Sequence, residues 1–160
     1  MKAFCNCNKK IYNFKIRQTK ESEERLMTST YFLNCIMGNV FKTKTTPVLP
    51  EKVYLGLSSS EPDIDGTNVT EPSTLSGYSR IELTEKLGEP NNGVISNTAD
   101  ISFPESSASW GTITHFVIYD SESDGNLLMF ESLTQNRSVE TATIVTIKAG
   151  NLTVTLANPA

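Results

Sequence analysis

The sequence predicts an all-β chain: an antiparallel two-layer β-sandwich or jelly-roll-like module preceded by a short N-terminal helix. Three observations predict it. From Val53 onward about seven short segments alternate apolar and polar residues or run apolar throughout. Turn signals separate them, among them Glu89-Pro90-Asn91-Asn92-Gly93, Ser123-Asp124-Gly125 and Lys148-Ala149-Gly150-Asn151. The chain has 160 residues, 38 % of them hydrophobic, enough to bury one core without disulfide or metal staples.

The order of composition divides the chain into residues 1–26, 27–50 and 51–160. Residues 1–26 read as a basic extension with no sustained helical or strand period, ending in the charged run Lys20 to Arg25. They are expected to be dispensable for folding: either a non-native start ahead of Met27, or an arm that orders on a partner. Residues 27–50 hold a short helix and a linker. Ser29 or Thr30 suits an N-cap, and Tyr31, Phe32, Cys35 and Ile36 form an apolar stripe. Gly38-Asn39 offers a left-handed stop, and a helix over residues 28–39 is too short to stand undocked. Phe41 to Pro50 reads as a Thr-rich linker.

The β-domain follows at residues 51–160. Val53, Leu55 and Leu57 alternate with Tyr54 and Gly56, and a polar loop of Ser58 to Ser76 comes next. Tyr78 to Leu83 alternates again. Val94 to Phe103 reads as a broken strand. Thr112 to Tyr119 is apolar on both faces from Phe116, which predicts a central strand. The Asp124-Gly125 turn returns the chain through Leu127 to Leu133. Thr141 to Ile147 and Leu152 to Leu156 are expected to close a last hairpin, with Leu152, Val154 and Leu156 facing in.

Charge narrows the partners. Residues 1–45 carry nine Lys/Arg against three Asp/Glu, and residues 46–160 carry five against fifteen. Those counts give +6 and −10, which sum to the net −4 of the chain. An acidic body does not suit nucleic acid, whose phosphates need a basic face. No apolar run approaches the roughly 20 residues that cross a membrane, and no apolar leader follows Met1-Lys2. Neither nucleic acid nor membrane is expected as a partner. Cys5, Cys7 and Cys35 are expected as reduced thiols, because one C-x-C pair lacks the ligand number and spacing of a zinc site.

No constellation of catalytic residues stands out, and no enzyme, cofactor or metal is expected. His115, the only histidine, lies in a strand-like segment without a nucleophile elbow. Asp120 to Glu131 approaches the EF-hand calcium pattern, departing at Glu122. Its flanks read as paired strands, however, so turn chemistry explains the match. The acidic loop Glu61, Asp63, Asp65 and Glu71 reads as solvated. Trp110 is expected to anchor an edge of the sandwich, and its indole is also the leading candidate to stack on a sugar.

The order of segments carries a resemblance. It comprises Thr30-Tyr31-Phe32-Leu33, Val53-Tyr54-Leu55-Gly56-Leu57-Ser58, Glu71-Pro72 and Ser76-Gly77-Tyr78-Ser79-Arg80. Further on come Ser96 to Pro104, then the most specific block, Ser109-Trp110-Gly111-Thr112-Ile113-Thr114-His115-Phe116. Gly125-Asn126-Leu127-Leu128 and Ala149 to Leu156 complete it. Over residues 28–156 the chain resembles the small tailed-bacteriophage virion proteins usually labelled phage tail fibre protein, for which head decoration is the other assignment in use. The resemblance implies a non-enzymatic virion component that meets other tail or capsid proteins. The chain is expected to form a homo-oligomer, with Tyr31, Phe32, Ile36 and Trp110 as the interaction surface. A host-surface glycan-binding adhesin is the alternative, resting on Trp110, Tyr78 and Tyr54.

Overall fold

The structure, a computed structural model, describes residues 10–14, 27–42 and 48–155. It is mostly β, with largely antiparallel sheets in a sandwich-like arrangement and one α-helix near the start, as the sequence predicts. The strands are β1 (Lys10–Phe14), β2 (Met27–Thr28), β3 (Tyr54–Ser58), β4 (Ile81–Glu82), β5 (Val94–Ser96) and β6 (Ile101–Ser102). They continue with β7 (Gly111–Tyr119), β8 (Leu127–Val139), β9 (Thr143–Ile147) and β10 (Thr153–Thr155). The helix, α1, spans Thr30–Phe41.

A five-stranded sheet in the order β2-β8-β7-β3-β4 forms one layer. Across the core lie a three-stranded sheet, β1-β9-β6, and the pair β10-β5. Leu55, Leu57, Ile113, Phe116 and Ile118 from the first layer meet Ile101, Val145, Ile147 and Leu152 from the second. β7 sits in the middle of its sheet, and its other face is covered too. Val117, Tyr119, Leu127 and Phe130 form a second apolar cluster with Val69 of the long loop packed on it. That second cover accounts for the doubly apolar sequence of β7.

The connection after β7, residues 120–126, turns at Asp124 and Gly125, both at positive φ (52° and 73°), a conformation that Asp-Gly favours. Helix α1 is fastened at its start. Ser29 caps it by accepting from the Phe32 amide at 3.2 Å, while its own Oγ donates to the Leu127 carbonyl and its N–H to Leu128. The helix then runs past Gly38-Asn39 to Phe41 instead of stopping there. Asn39 Nδ2 donates to the Cys35 carbonyl at 2.8 Å, so its side chain serves the helix rather than ending it.

Three further expectations are corrected. Strand β9 does not form a hairpin with β10. It pairs antiparallel with β6 and parallel with β1, and β10 pairs with β5. Asn97, 2 % exposed, causes the divergence. Its Nδ2 donates to the Ala99 and Lys148 carbonyls, and its Oδ1 accepts from the Leu152 amide at 2.9 Å. The turn groups that would close a hairpin are thereby held by another segment. Of the alternating stretch Tyr78 to Leu83, only Ile81–Glu82 is strand. Lys10–Phe14, read as patternless, pairs along the whole of β9, because an open sheet edge supplies order that local propensity lacks.

Candidate functional site

Ser59 to Ser76 is the long loop where sequence alone offers no structure, and its own polar residues give it one. Ser58 Oγ accepts from the Thr70 amide at 3.1 Å, the Ser59 amide donates to the Thr70 carbonyl, and Asn68 Nδ2 donates to the Glu61 carbonyl. Asp65 accepts from the amide and hydroxyl of Thr67, and these bonds hold its carboxyl below the usual range. The loop thus returns to β3 and delivers Glu71 to the sheet.

Glu71 meets Arg80 there. The guanidinium binds the carboxylate through Nε (3.0 and 3.1 Å) and Nη2 (2.6 Å), while Nη1 donates to the Ser121 and Asp124 carbonyls at 2.9 and 2.7 Å. Its carbon centre lies 3.4 Å from the centroid of the Tyr119 ring. Tyr78 closes the set: its hydroxyl donates to Glu71 Oε1 at 2.6 Å and accepts from the Leu57 amide at 2.9 Å. Gly56 makes the approach feasible, since a Cβ there would stand 2.7 Å from Glu71 and 2.9 Å from both Tyr78 and Val117.

A cleft of about 440 Å³ opens beside this cluster, bordered by Glu71, Tyr78, Arg80, Glu122, Ser123 and Asp124. Its chemistry is that of a clamp. Arg80 and Glu71 neutralise each other, and the guanidinium is almost wholly covered. Burial, with Glu71 adding to it, pushes the Tyr78 phenol far above its ordinary value, so it stays protonated near neutral pH. These residues tie the long loop, β3 and the β7–β8 turn together. Sequence reading did not single out Arg80 as such a tie. The usable signal was an arginine beside an aromatic in a body with only five basic residues.

The residues singled out from sequence lie elsewhere. Trp110 is 6 % exposed; it packs edge-on against Tyr78 and Phe103, and its Nε1 donates to the Ser76 carbonyl at 2.9 Å. Tyr78 is also buried, so neither aromatic offers a face to a ligand. Tyr31 and Phe32 pack against the core beside the buried Cys35, and Ile36 is half-buried. Tyr31 and Phe32 thus rest at least in part on the chain's own body. His115 Nδ1 lies 2.8 Å from Thr114 Oγ1, and burial lowers its affinity for a proton.

The calcium-like stretch is a hairpin. Asp120 accepts from the amide and side chain of Asn126 at 2.6 and 2.8 Å, while Glu131 is buried on β8. Among the described residues no group of three or more His, Cys, Asp and Glu is placed to hold a metal. No described helix is long and apolar enough to cross a membrane.

The outer face of α1 is different in character. Leu33, Met37, Val40 and Phe41 are 51, 56, 64 and 72 % exposed, and Val48 and Leu49 add exposed apolar surface after the helix. Together, the closed polar cluster and this open apolar stripe describe a sandwich-like module with one exposed apolar helix face.

The comparison with known families agrees. A family model described as podophage GP4 fiber I protein gp80 matches residues 27–155, and the chain belongs to that phage fibre family. No curated protein matches it.

Proposed function

We propose that this chain is a non-enzymatic structural component of a tailed-phage particle, held in place by contacts with other virion proteins of the tail or capsid and with copies of itself. The observation that carries the reading is the fibre-family match, which spans both the helix and the β-body. The geometry supports it: the most elaborate polar cluster, around Arg80, is engaged in binding one part of the fold to another. The glycan-binding alternative is not favoured, because Trp110 and Tyr78 are in the core.

Purified particles test this directly. Peptide mass spectrometry should find the chain at a fixed ratio to the other structural proteins, and electron cryo-microscopy should show its density. Density on the tail supports a fibre role, and density on the head a decorating one. Absence from washed particles defeats the proposal.

A further inference from the structure

Three positions in the chain place an aspartyl or asparaginyl residue before glycine: Asp65-Gly66, Asn92-Gly93 and Asp124-Gly125. At such a pair the side-chain carbonyl carbon can reach the following backbone nitrogen, and glycine has no side chain to block the approach. The structure separates the three. Gly66 N–H donates to the Asp63 carbonyl at 2.9 Å, and the Asp65 carboxylate is bonded by Thr67. Gly125 is crowded, since a Cβ there would stand 2.5 Å from Asp120 and 2.6 Å from Ser121, and Arg80 holds the Asp124 carbonyl at 2.7 Å. Both pairs also present a carboxyl group, a poorer acyl acceptor than a carboxamide.

Asn92-Gly93 is restrained in neither way. The two residues lie at positive φ (51° and 76°), the centre of a two-residue hairpin turn whose ends are Asn91 and Val94. Both are exposed, and among the described residues nothing hydrogen-bonds the Asn92 carboxamide or the Gly93 amide. The turn is also lightly held. Asn91 and Val94 exchange two bonds of 2.8 and 3.0 Å, and the strand that follows, β5, has three half-buried residues paired with the three of β10. Ring closure needs Asn92 to rotate out of its turn conformation, and a tip whose opening uncovers so little apolar surface allows it.

We propose that Asn92-Gly93 is a site of spontaneous covalent modification, where the chain converts its own asparagine to isoaspartate and aspartate with water as the co-reactant. Hydroxide takes the Gly93 amide proton, and the nitrogen attacks Asn92 Cγ. A bond forms between them, and the Cγ–Nδ2 bond breaks to release ammonia. Water then opens the five-membered imide. Cleavage between the Gly93 nitrogen and the Asn92 backbone carbonyl carbon leaves the chain running through Cγ, as isoaspartate. Cleavage at Cγ gives aspartate. In sum, a carboxamide and water become a carboxylate and ammonium, with no change of oxidation state. The isoaspartyl link lengthens the main chain by a methylene, so Asn91 and Val94 no longer face each other and β5 loses its register on β10. Either product adds a negative charge to an already acidic body.

The purified, folded full chain, held at mildly alkaline pH and mapped by proteolysis and mass spectrometry, tests this. Residues 87–97 should gain about 1 Da, about tenfold faster for each pH unit, because the reactive amide anion grows with hydroxide. Labelling by an isoaspartyl methyltransferase should identify isoaspartate in the product. Asn97 and Asn126, whose carboxamides are hydrogen-bonded, should stay unmodified. Asn92→Gly suits the same turn and should abolish the mass shift while circular dichroism and the melting curve stay those of wild type. Hydrogen exchange at residues 94–96 and 153–155 should be faster in the modified fraction. A folded chain in which Asn92 survives, above all while the same chain in urea is converted, overturns the proposal, because the turn then protects the pair. Conversion of Asn97 or Asn126 ahead of Asn92 overturns it too. A modified fraction that exchanges like fresh protein at β5 and β10 overturns the loss of register. The chemistry needs no partner protein, so the outcome is read whether or not the chain is found on particles.

Discussion

Arg80 shows how much one side chain can decide. Its guanidinium engages Glu71, two carbonyls of the β7–β8 turn and the Tyr119 ring, and its side chain is 8 % exposed. Replacing it by methionine leaves Glu71 covered on one side with only Tyr78 to bond, and strips two carbonyls of their donor. Because Glu71 keeps some access to water, Arg80→Met is expected to cost about 2–4 kcal/mol, below the full cost of an orphaned buried charge. For a chain of this size that is a fall of roughly 5–15 °C in melting temperature. Adding Glu71→Gln should recover part of the loss, since no uncompensated carboxylate then remains. A single variant that melts within about 1 °C of wild type would show the clamp to be ornamental to stability. The chain's charge count makes Arg80 conspicuous, but its partners lie 9 and 41–44 residues away, and no local pattern links them.

At the scale of elements, the β7–β8 hairpin was legible and its chemistry was decided by the turn. Asp124-Gly125 promises positive φ, and both residues adopt it. Asp120, the first position of the calcium-like pattern, has its carboxylate engaged by Asn126, and the last position, Glu131, is carried inward by the strand. A chelator is therefore expected to leave the melting temperature unchanged, and about 1 mM calcium to raise it by less than roughly 1 °C. A rise of several degrees would mean a site that the hairpin does not explain. Helix α1 teaches the opposite lesson. Its existence and its Ser29 cap were readable, but Gly38-Asn39 did not end it, and Tyr31 and Phe32 of its stripe pack on its own body. A helix with apolar residues on both sides cannot announce which side its body will take.

At the scale of the molecule, the family match begins at residue 27, whereas the structure adds β1 from residues 10–14 along the edge of β9. Removing residues 1–26 therefore takes away one strand from the smaller sheet and leaves the five-stranded sheet and both apolar clusters in place. The shortened chain is expected to unfold cooperatively, a few degrees below full length, and to aggregate more readily because the β9 edge is bare. Differential scanning calorimetry with light scattering on both forms checks this. Loss of cooperativity would place the first 26 residues inside the fold proper.

The sequence by itself determined the all-β class, the central position of β7, the Asp-Gly turn before β8, the capped helix and the fibre-family resemblance. Each depends on neighbours in the chain: the period of two, the apolar run, the Asp-Gly pair, the Ser at a helix start. Only the tertiary structure decided that β9 pairs with β6 and β1 while β10 joins β5, because a buried Asn97 captures the turn between them from some 50 residues away. It alone joined Glu71 to Arg80, sank Trp110 into the core, and turned Leu33, Met37, Val40 and Phe41 outward. Hydrogen bonds and packing between distant segments have no period along the chain, so they are settled when the layers close and not before.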